Sequence, residues 1–412
     1  MKNPRLVAFE TLYKIFYNNA YSNIVLDKAV DNIDGDKAFV YALVYGVVER
    51  KLTLDYFIKK YATSKPKPKI MTILRMGAYQ LLFMDKVPSS AAINESVELT
   101  RLIKQDFYSS FVNAVLHKID NDRVLPDDDL SLKYSVGKNL VNMWIKQYGR
   151  EKTESFLPCV NEKPPVFAVP NSLFCDSESL LKALSEESIS GKIVGDCVEI
   201  TSSFDLNNCS AFNKGLFHIE DLSSYECALA LGAKEGDTVL DMCSAPGGKA
   251  FTIAEKMNNK GKIYAFDIHE KRVKQISDGA QRLGISIIET GINDASVYNP
   301  NIPAVDRILC DVVCSGFGII RRKPEIRYKE LDSVSALPKK QLEILQTSSS
   351  YLKSGGTIVY STCTLNKKEN EKVVRAFLES NNNFALIEEK TSFPSADGGD
   401  GFYYAVLRKN EN

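Results

Sequence analysis

Two cysteines stand where a thiol could act on a bound molecule. The run Arg307-Ile308-Leu309-Cys310 leads into Asp311-Val312-Val313-Cys314-Ser315-Gly316, and Gly356-Thr357-Ile358-Val359-Tyr360 leads into Ser361-Thr362-Cys363-Thr364. Each places a cysteine just past the end of a short strand-like run, and open α/β sheets bind ligands at their C-terminal ends. A thiolate there can add to an electrophilic carbon, while a second thiol moves a proton. The competing use of cysteine is core filling, which suits Cys159, Cys175, Cys197, Cys209, Cys227, Cys243 and Cys310. No CxxC pair occurs, and His117, His218 and His269 are far apart, so neither a metal centre nor a disulfide scaffold is expected.

A third constellation follows the run Thr238-Val239-Leu240. It reads Asp241-Met242-Cys243-Ser244-Ala245-Pro246-Gly247-Gly248-Lys249 and opens into a helix from Ala250. Paired glycines at a strand-to-helix turn let backbone approach a ligand, and the helix end offers free N–H groups. The pattern is neither the G-x-G-x-x-G dinucleotide fingerprint nor a Walker A loop. The next strand ends at Asp267, twenty residues past Gly247. An acid so placed grips the ribose hydroxyls of a nucleoside cofactor.

The string 241–249 closely resembles the first motif of the S-adenosylmethionine-dependent RNA cytosine methyltransferases of the NOL/NOP/Sun family, usually D-x-C-A-A-P-G-G-K-T; Ser244 and Ala250 depart from it. The resemblance implies that Cys243, Ser244, Ala245, Pro246, Gly247, Gly248 and Lys249 cradle the methionine part and that Asp267 holds the ribose. Asp294 then meets the adenine, with Asn293 as the neighbouring alternative. Asp311-x-x-Cys314-Ser315-Gly316 and Thr362-Cys363 also match family motifs. Carbon 5 of cytosine is too weak a nucleophile to take a methyl group from a sulfonium. Addition of sulfur at carbon 6 turns the ring into an enamine, and a base must later remove the carbon-5 proton. By the resemblance, Cys363 is the nucleophile and Cys314 releases the product. Asp311 bonds the cytosine edge, favours protonation at nitrogen 3 and borders the cofactor. The family has proline before the first of these cysteines; Val313 leaves a free N–H and a looser loop there.

The elements that position these residues are legible in outline. From about residue 211, short apolar runs (238–240, 262–266, 285–288, 307–310, 356–360) alternate with helical stretches, which predicts a mostly parallel sheet covered by helices on both faces. Residues 165–210 mix β-like runs (166–169, 192–200) with a helical pattern at 177–185 and read as a small α+β connector. Residues 1–120 repeat apolar positions every three to four residues, predicting an all-α bundle. The expected domains are 1–125, 126–210 and 211–412. The first resembles the RNA-binding domain of the antitermination factor NusB, through Arg5 to Leu12, Leu43 to Arg50, Ile73 to Leu82, Val87 to Leu99 and Phe111 to Leu116. RNA contacts are expected from Lys59, Lys60, Lys65, Lys67, Lys69 and Arg75, with the stiff loop Lys65-Pro66-Lys67-Pro68-Lys69 among them, and from Arg321, Arg322 and Lys323 beside the cysteines.

Composition sets the outer bounds. The 412 residues carry 52 basic and 52 acidic side chains, so a polyanion must be met by a local patch. Residues 1–125 hold 18 Lys+Arg and 13 Asp+Glu, a net of +5. The N-terminal run has no apolar signal core and no stretch is long enough to span a membrane, so a cytoplasmic protein is expected. The combination of domains is similar to the bacterial small-subunit ribosomal RNA methyltransferases of the Sun (RsmB) type. That implies a monomer acting on one hairpin cytosine of 16S rRNA, naked or in an early assembly intermediate. A tRNA-directed methyltransferase, a catalytically weak assembly factor and a DNA cytosine methyltransferase are the competing readings. The last would use the first cysteine within a Pro-Cys pair, which Val313 breaks.

Overall fold

The computed structural model describes residues 3–18, 22–30, 36–395 and 398–411. The chain forms two compact units. One comprises the chain to Asn161 together with Lys323–Leu331; the other comprises Glu162–Arg322 and the chain from Asp332.

The first unit is helical, with Pro4–Tyr17, Ser22–Val30, Lys37–Glu49, Lys51–Tyr61, Pro68–Phe83, Ser89–Leu102 and Ser109–Asp120 followed by Leu130–Tyr134, Lys138–Tyr148 and Arg150–Phe156. Local chemistry sets the ends. Asn3 accepts from the Arg5 N–H at 2.8 Å ahead of Pro4, and Asp36 accepts from Phe39 at 2.9 Å. The stiff loop expected over 65–69 is shorter than that, because Pro68 starts a helix, where its missing donor costs nothing. Leu12, Leu43, Val47, Phe57, Ile73 and Leu116 are fully buried in the shared core. Arg75, expected on the RNA-facing surface, is instead buried and makes a two-pronged bond to Asp55 at 2.7 and 2.8 Å. The segment Lys323–Leu331 is built into this unit. Arg327, wholly buried, donates to the carbonyls of Glu49 and Val160 and to Asn161 Oδ1 at 2.8–2.9 Å.

The second unit carries two sheets. The smaller is antiparallel, from β1 (Val166–Pro170), β2 (Gly191–Val194), β3 (Cys197–Ile200) and β4 (Phe217–Ile219) in the order β2-β3-β1-β4. The single run expected over 192–200 is a hairpin, because Gly195 turns the chain at φ 57°. The larger sheet comprises β5 (Thr238–Asp241), β6 (Lys262–Asp267), β7 (Ile288–Ile292), β8 (Val305–Asp311), β9 (Leu352–Thr362), β10 (Phe384–Ser392) and β11 (Phe402–Lys409), ordered β10-β11-β9-β8-β5-β6-β7. Five strands are parallel, and β11 and β10 close one edge antiparallel. Neighbouring residues of β5 face opposite cores. Val239 packs with the helices Gly248–Lys256 and Glu270–Arg282, and Leu240 with Leu337–Ser349 and Glu371–Ser380. The run expected at 285–288 lies three residues too early. Ile285 and Ile287 are buried in the turn that follows Gly284, and the strand begins at Ile288. From β5 the sheet grows through β6 to one side and through β8 to the other, so a crevice opens between the C-terminal ends of β5 and β8.

Candidate active site

The loop after β5 enters its helix through Gly247, at φ 111°, where a Cβ would stand 2.5 Å from the Phe251 ring. Only glycine suits that turn. The loop is tied down at Ser244, whose N–H donates to the Phe266 carbonyl at 2.8 Å, and at Gly247, which donates to Ser244 at 2.8 Å. At the floor lies Asp241. Both its carboxylate oxygens are buried and make no hydrogen bond of full geometry; burial raises its pKa to about 7, against the smaller lowering pull of the Ser244 hydroxyl and Lys249. A buried acid beneath a glycine turn suits a cationic group above it. The hydroxyl of Ser244 is buried there too, also without a bond of full geometry.

Asp267, at the end of β6, is 3% exposed. One oxygen accepts from the His269 N–H at 3.0 Å and the other meets Arg272 at 3.1 Å. The same guanidinium donates to the Ala245 carbonyl at 2.7 Å, which couples the acid to the glycine loop. Beside it opens a cavity of about 510 Å³ with Ile268, Arg272 and Ile292 in its wall. Both isoleucines are exposed, offering apolar surface for a flat base. At the next strand end, Asp294 Oδ1 accepts from the N–H and hydroxyl of Ser296 at 2.9 and 2.6 Å. Asn293 is buried, with Oδ1 accepting from Asn299 at 3.1 Å and Nδ2 without a bond. These residues fit S-adenosylmethionine: a buried acid for the cationic end, a carboxylate for the ribose and two exposed isoleucines for the adenine face.

Beneath this loop, His218 stands between Glu220 at 3.5 Å and Glu255 at 3.4 Å. Burial opposes its charge, but the two carboxylates prevail and raise its pKa to about 9. Glu220 also accepts from Thr252 at 2.9 Å and lies so close to Gly248 that a Cβ there would be 3.1 Å from it.

Across the crevice, Asp311 ends β8. Its Oδ2 pairs with Lys249 Nζ at 2.8 Å and its Oδ1 accepts from Ser361 at 2.8 Å. The Lys249 pKa is raised: Asp311 and Glu220 overcome the cost of burial. Cys314 and Cys363, on the loops after adjacent β8 and β9, bring their sulfurs to 3.0 Å. The Cys314 thiol is pushed well above its ordinary value by its bond to Cys363 and then by burial. Val313, in the position of the family proline, is itself exposed, and its carbonyl accepts from Gln341 Nε2 at 2.9 Å. Buried Glu369 accepts from the Ser315 N–H at 2.8 Å and from Gln341 at 3.1 Å. Side-chain bonds thus hold a loop that has no proline to stiffen it.

Arg321 and Arg322, expected to contact phosphate, do not face solvent that way. Arg321 is 4% exposed and bonds Asp400 at 2.6 Å and the carbonyls of Ser395, Gly398 and Gly399. Arg322 bonds Asp400, Asp221 and the Pro165 carbonyl. Their carboxylate and carbonyl partners consume the donors an RNA would need. Lys323 is exposed. In the helical unit Lys59, Lys65, Lys67 and Lys69 are exposed, whereas Lys60 is held by Asp122 at 2.6 Å. Arg272, Gln341 and Glu369 carry no local signal in the sequence; Asp241 opens the 241–249 motif but has no task assigned to it there.

Residues 228–408 match the family described as 16S rRNA methyltransferase RsmB/F, and residues 2–121 match the NusB family. The chain is 35% identical over 440 residues to the probable ribosomal RNA small subunit methyltransferase B of Bacillus subtilis, covering 98% of each. To the ribosomal RNA small subunit methyltransferase B of Escherichia coli it is 30% identical over 427 residues, covering 99% of each. Among solved structures it is similar to that of PH0851, with a TM-score of 0.82 and 25% identity across 99% of both chains. No helix among the described residues is long and apolar enough to cross a membrane.

Proposed function

The chain belongs to the RsmB/F family of 16S rRNA methyltransferases, and on that premise we propose that it methylates carbon 5 of a cytosine in 16S rRNA, with Cys363 as nucleophile and Cys314 as the group that frees the product. The observation that carries this reading is the pair of sulfurs 3.0 Å apart on the loops that follow β8 and β9, the first of which Asp311 ends. When bound, S-adenosylmethionine supplies the methyl group that carbon 5 takes.

Each residue then has a defined task. Cys363 loses its thiol proton to solvent and adds to carbon 6 as the thiolate, while nitrogen 3 takes up a proton; the Cys314 thiol, raised by its partner, keeps its own proton and hydrogen-bonds the attacking sulfur. Once that sulfur is bonded to carbon, the largest cause of the raised Cys314 pKa is gone. Cys314 can then lose its proton to solvent and remove the one on carbon 5, so that Cys363 leaves. Asp311, fixed by Lys249 and Ser361, presents a carboxylate to the nitrogen-3 edge. Asp267 and Asp294 take the ribose and adenine, and the loop from Cys243 to Lys249 takes the methionine part. In this reading residues 1–125 bind RNA, 126–210 connect, and 211–412 carry the chemistry, in a monomeric cytoplasmic enzyme acting on rRNA alone or in an early assembly intermediate.

The test is bisulfite sequencing of 16S rRNA and tRNA after incubation with purified protein and S-adenosylmethionine. One protected 16S cytosine, absent with Cys363→Ser, is expected. Protection confined to tRNA would overturn the substrate assignment.

A further inference from the structure

The turn between the helices Ser89–Leu102 and Ser109–Asp120 puts a large apolar side chain into water. Phe107 is 90% exposed, on a three-residue turn, Asp106–Tyr108. The turn is well held. Lys104 takes φ 58°, Gln105 donates to the Thr100 carbonyl at 2.7 Å, and Tyr108 donates to Gln105 at 2.9 Å. Tyr108 packs against the helical core and meets Phe107 edge to face, with centroids 5.3 Å apart and planes at 89°. Lys67 Nζ stands over the Tyr108 ring, 5.6 Å from its centroid. A cation on the proline-braced loop, a half-buried ring and a projecting ring therefore form one continuous surface. Lys65, Lys67, Lys69 and Lys104 are exposed, and among the described residues none is in an ion pair. Asp106 is the adjoining carboxylate.

A fully hydrated phenylalanine fixed by its neighbours gains nothing for folding, whereas a base can stack on it. Lysines beside it neutralise phosphates. We propose that Phe107 is a stacking platform for an unpaired base of the RNA substrate, with Lys65, Lys67 and Lys69 on the flanking phosphates. This rests on the rRNA reading above and adds to it the class of RNA gripped by this surface. A paired base is stacked within its duplex and has no face to give, so the surface selects single-stranded RNA.

The probes are a short fluorescein-labelled single-stranded RNA and the duplex of the same sequence, followed by anisotropy on the full-length protein. Phe107→Ala should weaken single-strand binding by about 5- to 150-fold with the salt slope unchanged, while Phe107→Tyr retains it. Lys67→Ala should instead lower the salt slope, by about 0.7. Circular dichroism and S-adenosylmethionine affinity identical to wild type exclude misfolding as the cause. If wild-type protein methylates 16S rRNA but Phe107→Ala binds single strands equally well, the platform is wrong and the enzymatic reading stands. The same holds if Phe107→Ala changes only self-association, which would make the surface a protein contact. If wild type fails on 16S rRNA while the single-strand loss persists, the platform stands and the substrate assignment falls.

Discussion

Cys314 and Cys363 reach one another from neighbouring strands, 49 positions apart in the chain and with 3.0 Å between their sulfurs. Neither strand end alone would supply both a nucleophile and a proton-moving group; the parallel pairing of β8 with β9 does.

That proximity separates the two serine variants. Cys363→Ser cannot form the carbon-6 bond, since a hydroxyl without a partnered base is a far weaker nucleophile than a thiolate. It should be inactive and release RNA on denaturation. Cys314→Ser should attack and accept the methyl group, then stall. A protein–RNA band on denaturing gels, dependent on S-adenosylmethionine and seen for Cys314→Ser only, is the expected outcome. A band from Cys363→Ser instead would exchange the two assignments.

Asp241 should make cofactor binding pH-dependent. Its folded-state pKa, raised to about 7 by burial, lies above the unfolded value, so the cofactor-free protein loses stability as pH rises through that range. A cationic ligand above the acid favours ionisation. Binding should therefore release a proton below about pH 7, and affinity should improve by up to about tenfold per pH unit there and level off above it. Titration calorimetry in buffers of different ionisation enthalpy measures this. Asp241→Asn should bind less tightly at pH 8 and lose the pH dependence; a variant that keeps it would place the titrating group elsewhere.

The placement of the candidate site residues is legible where they are contiguous in sequence. The glycine turn, Asp267, Asp311 and both cysteines sit at the ends of strands whose apolar runs announce them. What holds them was not legible, because Glu369 and Gln341 reach Ser315 and Val313 across 54 and 28 residues of sequence. Local reading also misassigned Arg321 and Arg322. Consecutive cations look solvated when their carboxylate, Asp400, is 79 and 78 residues away. Phe107 carried no local signal at all: nothing in the residues around it marks it as exposed, and only the turn geometry puts it into water.

The arginine pair therefore predicts a stability phenotype. Arg321→Met leaves buried Asp400 with Arg322 as its only guanidinium and three carbonyls without their donor, and groups left unsatisfied in this way cost roughly 1–3 kcal/mol. The melting temperature should drop by several degrees while the salt dependence of RNA binding stays as in wild type. A shallower salt slope with unchanged melting would return Arg321 to the RNA.

Gly318 sets the height of Cys363. Its N–H donates to the Cys363 carbonyl at 3.0 Å, and its own carbonyl accepts from Gly401 at 3.0 Å. A Cβ on Gly318 would lie 1.8 Å from the Gly401 oxygen and 2.9 Å from the Cys363 oxygen. Both are backbone atoms, so no side-chain rotation relieves the overlap, and the two segments must move apart. Movement on the order of 1 Å at a reacting group costs about a hundredfold in rate. Gly318→Ala should lower kcat by about that factor and destabilise the fold by roughly 1–3 kcal/mol. S-adenosylmethionine affinity should hold, because Asp241, Asp267 and the Gly247 turn stand on β5, β6 and the loop between them, away from this clash. Single-turnover methylation alongside calorimetry separates the two effects. An unchanged rate would mean that the Gly318–Gly401 contact does not position Cys363.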